Sequence, residues 1–155
     1  MVETQRARAS RTPWHVWVIG GIGVLWSAMG VISFVLTQMK VEAVMSRFPP
    51  PQRAYFESFP WWIVALWAVN VFGGLIGSIG LLLGNRRAVP ALAASAIGSL
   101  AYNAGGLFLL GGMQVMRETD GVGLTVVPVV FAVLLASYAY AMRETSVLTS
   151  PTRGA

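Results

Sequence analysis

The chain predicts an all-α membrane protein, a four-transmembrane-helix bundle with a short interfacial or periplasmic helical loop between its first and second spans. Three observations carry that class. Four apolar stretches without Asp, Glu, Lys or Arg, at 14–36, 61–83, 88–110 and 121–142, make up most of the 155 residues. Each is 22 or 23 residues long. At a rise of 1.5 Å per residue such a helix reaches roughly 33–35 Å, enough to cross a hydrocarbon core of about 30 Å. Charged residues make up only 11% of the chain, against about 25% in soluble domains. Finally, the net charge of +5 falls on one side of the predicted topology. With the N-terminus inside, the inner segments hold Arg6, Arg8, Arg11, Arg86, Arg87, Arg143 and Arg153 against Glu3 and Glu144. Outside, Lys40, Arg47, Arg53 and Arg117 are balanced by Glu42, Glu57, Glu118 and Asp120. The positive-inside rule then puts both termini of this multi-pass membrane protein in the cytoplasm.

The elements follow in order. Residues 1–13 are polar, Arg-spaced and end in Pro13, which predicts a disordered basic cytoplasmic arm. A span begins at once behind it, so the arm is expected to meet lipid headgroups and not nucleic acid. The first apolar stretch is too long for a signal-peptide core and no small-x-small cleavage site follows, so it reads as an uncleaved span. Trp14 and Trp17, then Trp61 and Trp62, put indoles at membrane boundaries, and Tyr138 and Tyr140 do so at the last inner boundary. Between spans one and two, Val41, Val44, Met45 and Phe48 have helical spacing, and three prolines before Gln52 can open a second short helix with Arg53 and Glu57 paired at i,i+4. Asn85-Arg86-Arg87 is a tight turn that makes spans two and three an antiparallel hairpin. Pro90 falls in a first helical turn, where a missing N–H costs little. The segment Gly111–Asp120 reads as a brief polar loop. Pro128 lies inside span four, removes a bond to the Leu124 carbonyl and should kink the helix. Residues 14–142 thus form one domain and 143–155 a cytoplasmic tail.

The segments WHVWVIGGIGVLWSAMG, PPPQRAYFESFPWWIVALWAVNVFGGLIGSIGLLL and AVPALAASAIGSLAYN resemble a family of small four-span bacterial inner-membrane proteins of uncharacterised role. Some members of that family carry the label sugar transporter. The resemblance covers about residues 14–142 and implies the four-span fold. It brings no defined catalytic or binding residue with it.

Three constellations could work. Gly20, Gly23, Ser27 and Gly30 in span one and Gly73, Gly77 and Gly80 in span two recur at three- and four-residue steps. Such small faces let helix backbones approach closely in lipid. Packing within one chain is the plainer account, and a homo-oligomer or another membrane protein is the other. Ser27, Asn70, Ser99, Tyr102 and Asn103 fall at similar depth, which predicts a neutral polar pocket suited to a hydroxylated or amide-bearing solute. The alternative is that Asn70 and Asn103 bond each other across helices as packing glue. Arg53, Tyr55, Phe56, Phe59, Trp61 and Trp62 form an aromatic loop that could seat a partner.

Catalysis finds little to use. There is no cysteine and one histidine, His15, which predicts no metal, no cofactor and an anchoring role for the imidazole. Gly20–Gly23 lies mid-span without the strand–turn–helix setting of a nucleotide fingerprint. No carboxylate sits within a span to couple ions. The expectation is a non-enzymatic inner-membrane protein with a structural, partner-binding or sensing role. The alternative is a passive or subunit-type transporter of a small neutral solute such as a sugar.

Overall fold

The structure, a computed structural model, describes residues 13–144. Its helices are α1 (Trp14–Gln38), α2 (Glu42–Met45), α3 (Pro50–Glu57), α4 (Trp61–Leu82), α5 (Ala88–Ala104), α6 (Gly112–Glu118) and α7 (Val122–Glu144), and α5 runs directly into a π-helical turn (Gly105–Leu109). Four segments are long and apolar enough to cross a membrane: Trp14–Gln38, Trp61–Leu82, Ala88–Leu109 and Val122–Arg143. The all-α four-span bundle is therefore present, and each predicted span is matched to within two residues. The arm at 1–13, apart from Pro13, and the tail beyond Glu144 lie outside the described residues. The predicted tail begins two residues early, because α7 continues through Arg143 and Glu144.

Local chemistry sets the helix boundaries. Pro13, Pro49 and Pro60 stand at the N-caps of α1, α3 and α4, where an absent N–H leaves nothing unpaired. Three helices end in one way. The N–H groups of Val41, Asn85 and Gly121 reach back to the carbonyls of Leu36, Gly80 and Met116 at 3.0, 2.9 and 2.8 Å. The residues between, Lys40, Gly84 and Asp120, carry positive φ of 51°, 63° and 52°. This Schellman closure returns orphan carbonyls to the hydrogen-bond ladder. Gly84 takes that conformation without strain, whereas Lys40 bears a Cβ in it.

The segment Gly111–Asp120, expected to be a loop, contains α6. Gly111 turns the chain at φ 71°. Gln114 then donates to Glu118 at 2.8 Å, Thr119 Oγ1 donates to the Val115 carbonyl at 2.6 Å, and Met116 is buried. A single amphipathic pair of turns is too short to show a period in sequence.

Small residues dictate the packing. α4 lies between α1 and α5, and α7 packs on α5. On one side Gly20 meets Leu82, Gly23 meets Ser78, and Gly30 meets Val71. On the other, Gly73 faces Ala91 and Ser95, Gly77 faces Leu92, and Gly80 faces Ala88. All six glycines thus lie against neighbours in the same chain. Lipid supplies no hydrophobic drive between helices, so this close dispersion contact holds them.

The bundle has two unlike ends. The termini end, where α1 begins, α7 finishes and α4 turns into α5, holds the buried apolar core of Val16, Leu81, Ala88, Val89, Leu92, Leu135 and Ala139. The lid end carries α2, α3 and α6. Around the outside run exposed apolar side chains, among them Trp17, Leu25, Met29, Ile76, Ile97, Val130 and Leu134. An apolar girdle of that extent belongs in a bilayer.

Candidate functional site: a lidded cavity between α1 and α7

The two outermost helices do not pack along their length. They touch at the termini end, where His15 Nδ1 and the Tyr138 hydroxyl share a hydrogen bond. Further along, Gly23 lies against Leu135, and the Trp26 and Phe131 rings sit 4.8 Å apart. Beyond that point they part and leave a cavity of about 370 Å³. α1 lines it with Trp26, Ser27, Met29, Gly30, Ser33 and Thr37. α7 contributes Leu124, Thr125, Pro128, Phe131, Ala132 and Leu135. The back wall is Asn70, Val71 and Gly74 of α4 with Leu92, Ser95, Tyr102 and Asn103 of α5. Pro128 leaves the Leu124 carbonyl without its intrahelical donor, and both residues line the cavity.

Four of the five residues predicted to form a polar pocket, Ser27, Asn70, Tyr102 and Asn103, line this cavity together. Ser99 does not; it is wholly buried in α5 and its hydroxyl has no partner among the described residues. The hydroxyl that meets Asn70 belongs to Ser95, which lies 2.6 Å from the Asn70 carbonyl and 3.1 Å from Asn70 Oδ1. The two asparagines are not bonded to each other. Asn103 Nδ2 turns back to the Ser99 carbonyl at 2.9 Å. The reason is register. Gly98 crosses α4 at Asn70, where a Cβ would come within 3.1 Å of the Asn70 nitrogen. Asn103 is five residues farther toward the lid, about 7.5 Å of helix rise. Counting depth from the span ends, nine residues for Asn70 and seven for Asn103, hides that offset because it does not see where the helices cross; the extra residue of the π-turn accounts for only a part of it.

The polar lining is incompletely satisfied. Asn103 Oδ1 and Thr37 Oγ1 are buried without a hydrogen-bond partner among the described residues. A buried polar atom left unpaired carries a desolvation cost of about 1–3 kcal/mol. Among the described residues no Asp, Glu, Lys, Arg or His lines the cavity.

α3 closes the lid end, and its aromatic residues turn inward. Tyr55 is buried, with its hydroxyl at the spot where a side chain on Gly106 or Gly112 would have to stand. The π-turn and the αL residue Gly111 bracket this notch. Phe56 stacks toward Trp67 at 6.4 Å, Trp67 stacks on Tyr102 at 5.6 Å, and Phe59 meets Tyr102 edge-on at 5.9 Å. Each such pair contributes about 0.5–1.5 kcal/mol beyond the area it buries. Gln52, which the sequence gave no reason to single out, is buried and donates to Thr119 Oγ1 at 2.6 Å, tying α3 to α6. Arg53 holds Glu42 through two nitrogens, at 3.0 and 3.1 Å, and Glu57 at 3.2 Å. These hydrogen bonds, Glu42 first, push its pKa above the usual guanidinium value. The pairs are exposed and orient the lid more than they stabilise it. Trp62 packs beside Gly105, while Trp61 stays exposed at the boundary.

No protein family, curated protein or solved structure matches the chain. Fold and site together define a multi-pass helical membrane protein with a lidded, uncharged cavity set between its first and last helices.

Proposed function

We propose that this is a non-enzymatic membrane protein that binds a small uncharged ligand in the cavity between α1 and α7, and that it senses or presents that ligand at the envelope. The observation that carries the reading is the cavity itself. Its volume of about 370 Å³ lies within the range of about 300–1,000 Å³ typical of ligand sites. Its walls are apolar and aromatic, with a few neutral donors and acceptors, and two buried polar atoms there lack partners. The titratable groups in the lining, among the described residues, are the phenols of Tyr55 and Tyr102. Among the described residues no cluster of His, Asp and Glu could hold a metal ion.

Passage of a neutral solute is the competing reading. The buried core at the termini end favours binding over passage, since Leu92 is both a wall of the cavity and a member of that core. A transported solute would have to displace Leu81, Leu92 and Leu135 together. The orientation we propose keeps both termini cytoplasmic and the lid periplasmic, because Arg86, Arg87 and Arg143 cluster at the termini end. Alkaline phosphatase fused to the C-terminus should then be inactive; an active fusion would invert the topology.

Thermal unfolding in nanodiscs tests the binding reading. Uncharged hydroxylated compounds, both water-soluble and lipidic, are compared with charged analogues. A ligand at 100 times its Kd stabilises the folded state by about 2.7 kcal/mol. An uncharged compound should raise the transition in the native chain and fail to do so in Asn103→Leu. If no compound shifts a well-folded sample, the reading is wrong.

A further inference from the structure

The two long helices that flank the cavity are not held alike at the lid end. α1 is fixed there: Gly30 lies against Val71, and the Phe34 ring meets Trp67 at 5.1 Å and Phe72 at 6.0 Å, all three on α4. α7 has no such hold. No residue of 122–131 is buried; the first buried ones are Ala132 and Leu135, and Leu135 belongs to the core at the termini end. A Cβ at Gly123 would meet nothing within 4 Å. Among the described residues no side-chain hydrogen bond or ring contact joins 122–130 to another helix, and the Thr125 hydroxyl donates to the Val122 carbonyl of its own helix at 2.7 Å. Behind this segment lies the cavity, which Leu124, Thr125 and Pro128 line. A stretch with so few buried contacts is the part of a fold that moves at least cost.

Two features bound the segment. At its inner end Pro128 supplies no N–H to the Leu124 carbonyl, and proline is where a helix bends most readily. At its outer end stands the corner between α6 and α7, which the lid grips. Gln52 of α3 is buried and donates to Thr119 Oγ1 at 2.6 Å. Its Nε2 also stands 2.5 Å from where a Cβ on Gly121 would be. We propose that the lid half of α7, 122–127, is a swinging wall of the cavity, hinged at Pro128 and latched to the lid by Gln52. Val122 lies about 9 Å of helix rise from the hinge, so a swing of about 20° carries it about 3 Å. Because the latch joins wall to lid, a widening of the cavity on the α7 side is felt by α3.

The chain has no cysteine, so spin labels can be placed in pairs on the full chain in nanodiscs. Val35→Cys with Val122→Cys spans the lid end, and Val18→Cys with Tyr140→Cys spans the termini end; all four positions are exposed. Double electron–electron resonance reads each distance. Gln52→Leu removes the latch and should broaden the lid-end distribution and shift its mean by about 3 Å, the swing given above. The termini-end distribution should not change. Adding Pro128→Ala returns the missing donor to the helix ladder and should restore the native lid-end distribution. Thr119→Val cuts the same hydrogen bond from α6 and should act as Gln52→Leu does, which carries the test if Gln52→Leu does not fold. A lid-end distance unchanged in the folded variants overturns the latch. Equal broadening at both ends makes Gln52 a general packing residue and overturns the swinging wall. Broadening that survives Pro128→Ala overturns the hinge. No ligand enters the measurement, so none of these outcomes touches the binding reading.

Discussion

Replacing Gly98 with leucine is expected to force α4 and α5 apart. A Cβ at this position would lie 3.1 Å from the backbone nitrogen of Asn70 and 3.1 Å from the carbonyl oxygen of Leu66. Those are main-chain atoms of α4, and they cannot swing aside as the end of a side chain does. The helices must separate, which also strains the Ser95–Asn70 hydrogen bond one turn away. A cost of about 3 kcal/mol, the top of the usual overpacking range, should appear as a lower midpoint of unfolding in mixed micelles. Gly21 supplies the comparison, since a Cβ there meets nothing within 4 Å. Gly21→Ala should leave the midpoint unchanged or raise it by a fraction of the roughly 0.5–1 kcal/mol that alanine gains over glycine in a helix. Equal midpoints for Gly98→Leu and Gly21→Ala would show that the α4–α5 contact is not what holds the bundle.

Truncating Tyr55 should release the lid without unfolding the spans. The ring bridges Phe59, at 4.8 Å, and the notch between Gly106 and Gly112. Tyr55→Ala empties that notch at a cost of about 3 kcal/mol, the lower end of what removing a buried aromatic costs. Hydrogen exchange should quicken across 50–57 and stay slow in α4 and α5. Alkali should do the same reversibly to the native chain. Burial pushes the Tyr55 phenol up to about 12 from an ordinary value of 10.0, so its neutral form is favoured in the closed lid. The stabilisation is complete below pH 10 and is lost as the pH rises from there through about 12. Tyr55→Phe should keep the lid closed and remove this residue's share of the alkaline loosening. Lid exchange that is indifferent to Tyr55→Ala would mean α3 is held elsewhere, by Gln52 or by Phe56 and Phe59.

The spans were legible because the bilayer imposes a coarse rule. An uninterrupted charge-free stretch of the right length has no alternative to helix once its backbone polar groups leave water. The prolines before Gln52 announced α3 for an equally local reason. What escaped was whatever depends on register. Ser95 and Ser99 are one turn apart on the same helix and look alike in sequence. Only the crossing at Gly98 decides that Ser95 meets Asn70 and Ser99 is sealed in. Gln52 escaped because a buried amide is recognised by its partner, and Thr119 is 67 residues away. The aromatic loop was legible as a group of rings but not in its direction. Its outward or inward aim rests on Gly105, which leaves room for Trp62, and on Gly106 and Gly112, which leave room for Tyr55.

The absence of any charged side chain in the cavity wall has an electrical consequence. A membrane potential acts on a site only through charge displaced along the field, at about 2.3 kcal/mol per elementary charge per 100 mV. The uncharged ligand proposed above displaces none of its own, so its filling and emptying of the cavity should be indifferent to the energised state of the membrane.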